Sequence, residues 1–516
     1  MKPIFITLLL AAATGGGTVS AAEADSIATT AGAPDPIGYS VSLTAGTASG
    51  RFAPYLQSAM THGRISSRHN VQAEAAVTRQ IDRGHRFSYG FGVDLMAGAA
   101  SSADYARWAD GAWTSHSLHP SRARVQQLYG EVKWRGVFLT LGMKEHGPAL
   151  VNARLSSGDL VESGNARPIP EMRVGFIDFQ DIPFTRGWVQ IQGEAGWGKM
   201  MDSDWWTDHY NRYNYHVATG QWYNYKRCYF RTDPRRPLSV TVGMQAAATW
   251  AGDTEWYRRG EVTRRQHRGL KAEDFFRMLI PTPSSSEDFY DGNHLGTWDL
   301  MARYRLPSGA NVKAYFSWPW EDGSGIGRRN GWDGLWGLEY SAATPGAPLE
   351  GAVVEYLDFT NQSGPIHHAP ADHPDTDLTS QVTGGDDYYN NGYYNSYAYY
   401  GMSIGTPALM APIYNLDGYP AYVANRMRGF HAAACGHVLP TLGWRAAVSY
   451  RRAWGNGHLI LPRPIHSTSA MIEATWDAGR LLRGLAVKGS VALDRGTMPG
   501  NSLGALLTIS YSGSIL

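Results

Sequence analysis

The chain has 516 residues, and its 46 basic and 45 acidic side chains leave none of the basic excess expected of a general nucleic-acid binder. Two cysteines, Cys228 and Cys435, exclude a disulfide framework; whether they pair or remain buried thiols stays open, because spacing does not give their separation. Aromatics reach 12% and glycines number 59, yet mean hydropathy is −0.33 and no later apolar run approaches the roughly 18 residues of a membrane helix.

The N-terminus reads as a targeting segment. Lys2, the apolar run Ile4–Ala13 and the small residues around Val19-Ser20-Ala21-Ala22 give a signal peptide over 1–22. Export of residues 23–516 as a single domain is expected, with the outer membrane as the destination if the remainder is a barrel.

Downstream, the dominant signal is period-2 alternation. Arg86–Ala97 sets Phe87, Tyr89, Phe91, Val93 and Leu95 on one face, with Ser88, Gly90, Gly92 and Asp94 opposite. Val137–Met143, Leu238–Met244, His294–Tyr304, Val312–Trp318 and Gly351–Phe359 follow the same pattern. So do Gly443–Arg451, Ala470–Trp476, Leu485–Asp494 and Ser502–Ser512. A soluble β-sandwich or propeller would also alternate. Two features favour a transmembrane antiparallel barrel. The face opposite the apolar one is small or charged, as a wet lumen requires. Trp188, Trp197, Trp250, Trp318 and Trp476 fall near strand ends, as an interfacial girdle requires. At roughly 27 residues per strand with its loops, about 16 to 20 strands fit. The final strand ends on Leu516, where many such barrels carry phenylalanine.

One helix is expected. Lys271–Ile280 places Phe275, Met278 and Leu279 on one face and stops at Pro281; in a barrel it reads as a plug or periplasmic cap.

Between the strands lie segments whose composition suggests contact with sugars. Rings stack on the C–H faces of a pyranose, while Asn, Asp and Arg bond its hydroxyl rim. Trp205 and Trp206 open an aromatic run through His209, Tyr210, Tyr213, Tyr215, Trp222, Tyr223 and Tyr225, beside Asp202, Asp204 and Asp208. A loop packed by its own rings would look the same. Trp318-Pro319-Trp320-Glu321-Asp322 precedes Gly323-Ser324-Gly325-Ile326-Gly327, which lacks the Lys-Ser/Thr of a phosphate loop and reads as a tight turn, with Arg328 and Arg329 facing lumen or glycan. The run His367–Asp377 concentrates histidine and aspartate without a fixed ligand spacing, so no metal site is assigned. The richest stretch is Asp386–Tyr400, DDYYNNGYYNSYAYY. Tyr388, Tyr389, Asn390, Asn391, Tyr393, Tyr394 and Asn395 are candidate glycan contacts on an extracellular loop. The competing reading is an aromatic belt or ring packing within the loop.

Several of these segments resemble the capsule assembly Wzi family: Gly164–Glu194, Asp202–Thr232, Trp318–Tyr340, Glu355–His368 and the tyrosine stretch continuing to Pro407. The resemblance implies an outer-membrane barrel of about eighteen strands, partly closed on the periplasmic side by helices. It also implies a surface lectin that helps hold capsular polysaccharide on the cell. No catalytic residue and no cofactor is implied, and the chain reads as a non-enzyme. Expected partners are capsular polysaccharide, outer-membrane lipid and the export machinery. The rival reading is a sugar-selective porin or diffusion channel, in which the same aromatics line the lumen.

Overall fold

The computed structural model describes residues 37–280, 292–321, 323–365, 367–368 and 382–515. Among these residues eighteen antiparallel strands, each paired with its sequence neighbours, form one sheet, to which the two-residue strand Gln180–Asp181 adds beside Val189–Lys199. They are β1 (Gly38–Phe52), β2 (Ser67–Arg79), β3 (Phe87–Ala100), β4 (Ala123–Trp134), β5 (Val137–Met143) and β6 (Pro170–Phe176). Then come β7 (Val189–Lys199), β8 (Trp222–Thr232), β9 (Leu238–Trp250), β10 (Asn293–Arg305), β11 (Asn311–Trp320) and β12 (Gly334–Ser341). The circuit ends with β13 (Gly351–Asp358), β14 (Met427–Leu439), β15 (Leu442–Gly455), β16 (Ile460–Asp477), β17 (Leu485–Gly496) and β18 (Ser502–Ser514). Pairing of β1 with β18, from Gly38↔Ser514 to Ala48↔Gly504, closes the sheet on itself. Closure removes the free edges that an open sheet would present.

The alternation expected from the sequence sets the two faces. Leu43, Val71, Leu95, Leu141, Leu300, Val491 and Leu507 each leave about half their surface exposed on the outside. An apolar band of this extent is stable against lipid and not against water. The ten strand segments read from alternation all fall on barrel strands, with Arg86 and Phe359 each one residue beyond. Among the described residues no helix is long and apolar enough to cross a membrane.

The two ends of the barrel differ. On the end holding Gly38 and Ser514 the strands are joined by short links such as 135–136 and 440–441. The long connections 101–122, 144–169, 200–221, 251–292 and 359–426 all lie at the other end. Bacterial barrels carry short turns on the periplasmic side and long loops outside, so the long-loop end is the outer end. Trp134, Trp188, Trp444 and Trp476 lie near the short-turn end, and Phe316, Trp318, Trp332 and Trp336 near the outer rim. Of the five expected girdle tryptophans, Trp188, Trp318 and Trp476 hold such positions. Trp197 and Trp250 do not, because both pack against Phe275: Trp197 Nε1 donates to its carbonyl at 2.8 Å, and the Trp250 ring meets its ring edge-on at 5.7 Å.

Phe275 belongs to the short helix Asp274–Arg277, the formed part of the segment Lys271–Ile280. It lies in the outer-end connection 251–292 and covers the wall beside Trp222 and Trp250. These two tryptophans share the sheet face of Phe230 and Val242, the lipid-facing one. Position outside the wall, rather than in the lumen or at the periplasmic mouth, follows from the site that Trp197, Trp222 and Trp250 build for one ring.

Plugging is done mainly by irregular chain. Segments 144–169 and 386–426 enter from the outer end and bury the main apolar cluster, which includes Leu160, Val161, Leu357, Phe359, Tyr397 and Tyr422. The short helix Tyr55–Ser58 adds to them, with the Tyr55 N–H on Asp494 Oδ2 at 2.8 Å. Cys228 and Cys435 are free. They sit on β8 and β14, which are not neighbours. Cys435 packs inward with Leu155, while Cys228 shares the outward face of Phe230.

Candidate functional site

An irregular segment inside a barrel must satisfy its own backbone without bulk water or a strand ladder. The stretch Asp386–Tyr400 does this with tyrosine hydroxyls and asparagine amides. Tyr389 Oη donates to Leu160 O at 2.5 Å and accepts the Thr406 N–H at 3.1 Å. Tyr397 Oη donates to Val161 O at 2.8 Å. Asn390 donates to Tyr422 O and accepts from Tyr422 N, both at 2.8 Å. Asn395 does the same for Ala218, at 2.7 and 2.8 Å. Asn391 Oδ1 accepts the Tyr393 and Tyr394 N–H groups, folding the tight turn around Gly392. Each asparagine stands in for a missing piece of backbone.

The expected exposed loop is therefore mostly plug. Tyr388, Tyr389 and Tyr394 are 2%, 5% and 3% exposed, and Asn390 and Asn395 are buried as well. Tyr388 Oη donates to Asp333 Oδ2 at 3.0 Å, and burial lifts that carboxyl to about 6. The turn Asn391-Gly392-Tyr393 reaches the surface, and Asp387 and Tyr400 are half-buried. An aromatic belt does not describe the stretch either, since its rings face plug and lumen rather than lipid.

Trp205 and Trp206 sit on the helix Ser203–His209 and serve the same packing. Trp206 is fully buried and donates from Nε1 to Asp202 Oδ2 at 2.9 Å. The same oxygen accepts the Tyr400 N–H, and burial raises Asp202 to about 7. Trp205 stacks on His209 at 4.6 Å and lies against Gly401, where any Cβ would sit 2.2 Å from the ring. Trp320 is buried over Gly296. Trp318 is half-buried on the outer rim, donates to Asn330 Oδ1 at 2.7 Å and stacks on Trp332 at 5.8 Å. Arg328 covers Trp318 at 5.2 Å, and Arg329 is exposed. The expected glycine turn forms a short helix, Gly323–Ile326. The histidine- and aspartate-rich run after His368 lies outside the described residues, among which no metal-ligating group of three or more is found.

The surface that remains open is a cap beyond the barrel, built from strands the sequence reading did not assign, although it singled out Tyr213, Tyr215 and Tyr393 there. Tyr215–Thr219, Gly252–Arg258 and Glu261–Arg268 form a three-stranded sheet. The plug turn docks on it: Trp256 Nε1 donates to Gly392 O at 3.2 Å, Thr254 Oγ1 to Tyr393 O at 2.8 Å, and His216 Nε2 lies 2.9 Å from Tyr394 O. Here the half-buried Trp256 and Tyr393 rings meet edge-on at 6.0 Å. The Arg264 guanidinium lies 4.7 Å from the Trp256 centroid, and that of Arg268 lies 5.1 Å from Tyr393. A second ring cluster forms where the hairpin Ala103–Ala109/Ala112–Leu118 leans on the same region. Trp108, Trp113 and Tyr213 are within 5.4 Å of one another, and Trp113 is 51% exposed. The signals were present: Asp110-Gly111 is a hairpin turn between Trp108 and Trp113, and EWYRRGEVTRRQHR alternates around Arg259-Gly260. Ring faces beside fixed guanidiniums suit a ligand with apolar C–H faces and a polar or anionic rim.

Fold and cap together define a closed, plugged outer-membrane β-barrel. Comparison with solved structures agrees on the barrel fold. Wzi, an outer-membrane protein involved in group 1 capsule assembly in Escherichia coli and a carbohydrate-binding β-barrel, matches over 91% of this chain and 83% of its own, at 12% identity and TM-score 0.53. OccK5 (OpdH) of Pseudomonas aeruginosa matches over 93% and 98%, at 9% identity and TM-score 0.44. OccAB2 of Acinetobacter baumannii matches over 93% and 98%, at 7% identity and TM-score 0.46. No family model and no curated protein matches the sequence. The resemblance read from its motifs is thus supported at the level of fold.

Proposed function

We propose that this chain is an outer-membrane polysaccharide-binding protein that retains surface glycan on its outer cap and contributes binding rather than chemistry. The observation that carries the reading is the division of aromatic residues. Tyr388, Tyr389 and Tyr397 close the lumen, while Trp256, Tyr393, Trp108 and Trp113 stay open to the outside. A diffusion channel needs the opposite arrangement, with its polar and aromatic residues lining a free path. Likeness in fold to a carbohydrate-binding barrel adds support. A repeating polymer would engage several weak ring and guanidinium contacts at once, and these add through multivalency. Lipid of the outer membrane and the polysaccharide export machinery are the further partners this reading implies.

The test is binding of the detergent-purified chain to capsular polysaccharide from its own cell, followed by tryptophan fluorescence. Saturable binding that an unrelated polysaccharide does not displace is the expected result. Absence of binding, together with stable conductance in a planar bilayer, would overturn the reading in favour of a channel.

A further inference from the structure

Several lumen-facing arginines are matched by carboxylates, among them Arg227 by Glu194 at 3.3 Å and Arg445 by Glu473 at 3.1 Å. Arg173 contacts Glu162, Glu171 and Glu194 at 2.7, 2.7 and 3.1 Å. Arg64 is held by Glu74 at 2.6 Å, Asp94 at 3.0 Å and Glu145 at 2.5 Å. One place near the outer mouth differs. Between the inner face of β2–β4 and the plug lies a cavity of about 60 Å³, lined by four arginines and no carboxylate.

Arg64 is one of the four, and its charge is already matched. Arg122, Arg124 and Arg167 form no ion pair among the described residues. Arg124 donates from Nη2 to Gly63 O at 3.1 Å, while its Nε is buried without an acceptor. Arg167 rests on the Tyr400 ring at 4.2 Å. Its stem is gripped by Gly63, at φ +68°, where a Cβ would stand 2.7 Å from Arg167 Cγ. In the same cavity Asn70 Oδ1 is buried without a donor. Arg124 and Arg167 are half-buried guanidiniums with no carboxylate in contact, and Arg122 is exposed at the edge; an anion would complete them, since a fork of N–H donors matches a carboxylate or phosphate. An orphaned amide oxygen beside them wants a hydroxyl.

We infer that this cavity binds an anionic sugar unit, with its carboxylate or phosphate on Arg122, Arg124 and Arg167 and a neighbouring hydroxyl donating to Asn70 Oδ1. The inference deepens the polysaccharide reading and rests on it. It makes the retained glycan acidic and gives it an anchoring point between wall and plug, separate from the rings of the cap.

The test titrates the full chain in detergent with trigalacturonic acid, with its neutral methyl ester, with lipopolysaccharide micelles and with the cell's own polysaccharide. The variants are R124Q, R167Q and the exposed-site R122Q, each checked for a native circular-dichroism spectrum. Saturable binding of the acid but not the ester, weakened at least ten-fold in R167Q and R124Q, is expected. If R124Q fails to fold, R122Q and R167Q carry the result. Lipopolysaccharide binding lost in the same variants keeps the site and assigns the anion to lipid phosphate. Acid, lipopolysaccharide and polysaccharide bound equally by wild type and folded variants would overturn the cavity and leave the cap reading intact. Wild type binding none of them would overturn both.

Discussion

The Tyr389 hydroxyl sits between two plug segments, donating to the carbonyl of Leu160 and accepting the N–H of Thr406. Leu160 and Tyr389 are 229 positions apart in sequence, so this one oxygen fastens the entering segment 144–169 to the returning segment 386–426. Replacing Tyr389 by Phe leaves a buried carbonyl and a buried N–H unpaired, at about 1–3 kcal/mol each. The barrel wall should keep its circular dichroism. Hydrogen exchange at 157–163 and 403–407 should rise, and a planar bilayer should show flickering conductance absent from wild type. Unchanged exchange and a silent bilayer would show that the plug does not depend on this contact.

Cap rings and plug tyrosines should respond differently. Trp256→Ala and Tyr393→Ala remove half-buried rings that face outward, so polysaccharide binding should weaken while thermal stability stays near wild type. At about 1 kcal/mol per ring, each change costs several-fold in affinity at one site. Tyr388→Ala instead empties a buried position bonded to Asn330 and Asp333, and should lower the melting temperature first. Equal binding loss from Tyr388→Ala without loss of stability would reverse the assignment.

Acid should loosen the cap. Burial depresses His209 and His216 to about 4, from an ordinary 6.5. The folded state refuses a proton that the unfolded chain accepts. Stability is therefore fully present above pH 6.5 and lost as pH falls toward 4, by on the order of 3 kcal/mol per histidine at the limit. Asp202, raised to about 7 by burial, acts with the opposite sign and favours the fold in acid. Exchange at Tyr394 and Asn395, whose contacts involve His216 and Ala218, should increase between pH 6.5 and 5. His216→Gln should flatten that dependence. A pH-independent cap in wild type would contradict the burial of His216.

The two thiols should ignore the redox state of the buffer. Cys228 and Cys435 lie on non-adjacent strands and opposite faces of the wall, so reductant should leave the melting temperature unchanged. Denatured protein should titrate two thiols, and a count of zero would refute the separation.

Much of the wall was legible because alternation is a direct imprint of lipid on one face and lumen on the other. Strands escaped where that contrast fails. β8 carries Trp222, Tyr223, Tyr225, Tyr229 and Phe230 across both faces, since plug covers one and the Phe275 helix part of the other. β14 presents small residues (Ala432, Ala433, Ala434, Gly436) that give little amplitude. β1 is different: Tyr39, Val41 and Leu43 alternate plainly and were available to the same reasoning. The tyrosine stretch was conspicuous in composition, but composition does not say on which side of a barrel mouth a segment lies. That depended on partners such as Leu160, Val161 and Ala218, all distant in sequence. The cap and the arginine cavity draw on residues from several separate connections, a convergence that only the closed barrel produces.

The 144–169 segment leaves the wall at β5 and is tied across the lumen to the far flank. There Asn152 bonds Glu339, Ser156 and Ser157 bond Glu355, and His431 meets the Leu155 carbonyl at 2.8 Å. Such a member works as a cross-brace. A polymer held on the cap as proposed, and dragged by fluid shear, would load the tyrosine-fastened segments and through them strands on opposite sides of the cylinder. Mechanical tension would then be shared by the rim as a whole instead of peeling one hairpin from the seam between β1 and β18.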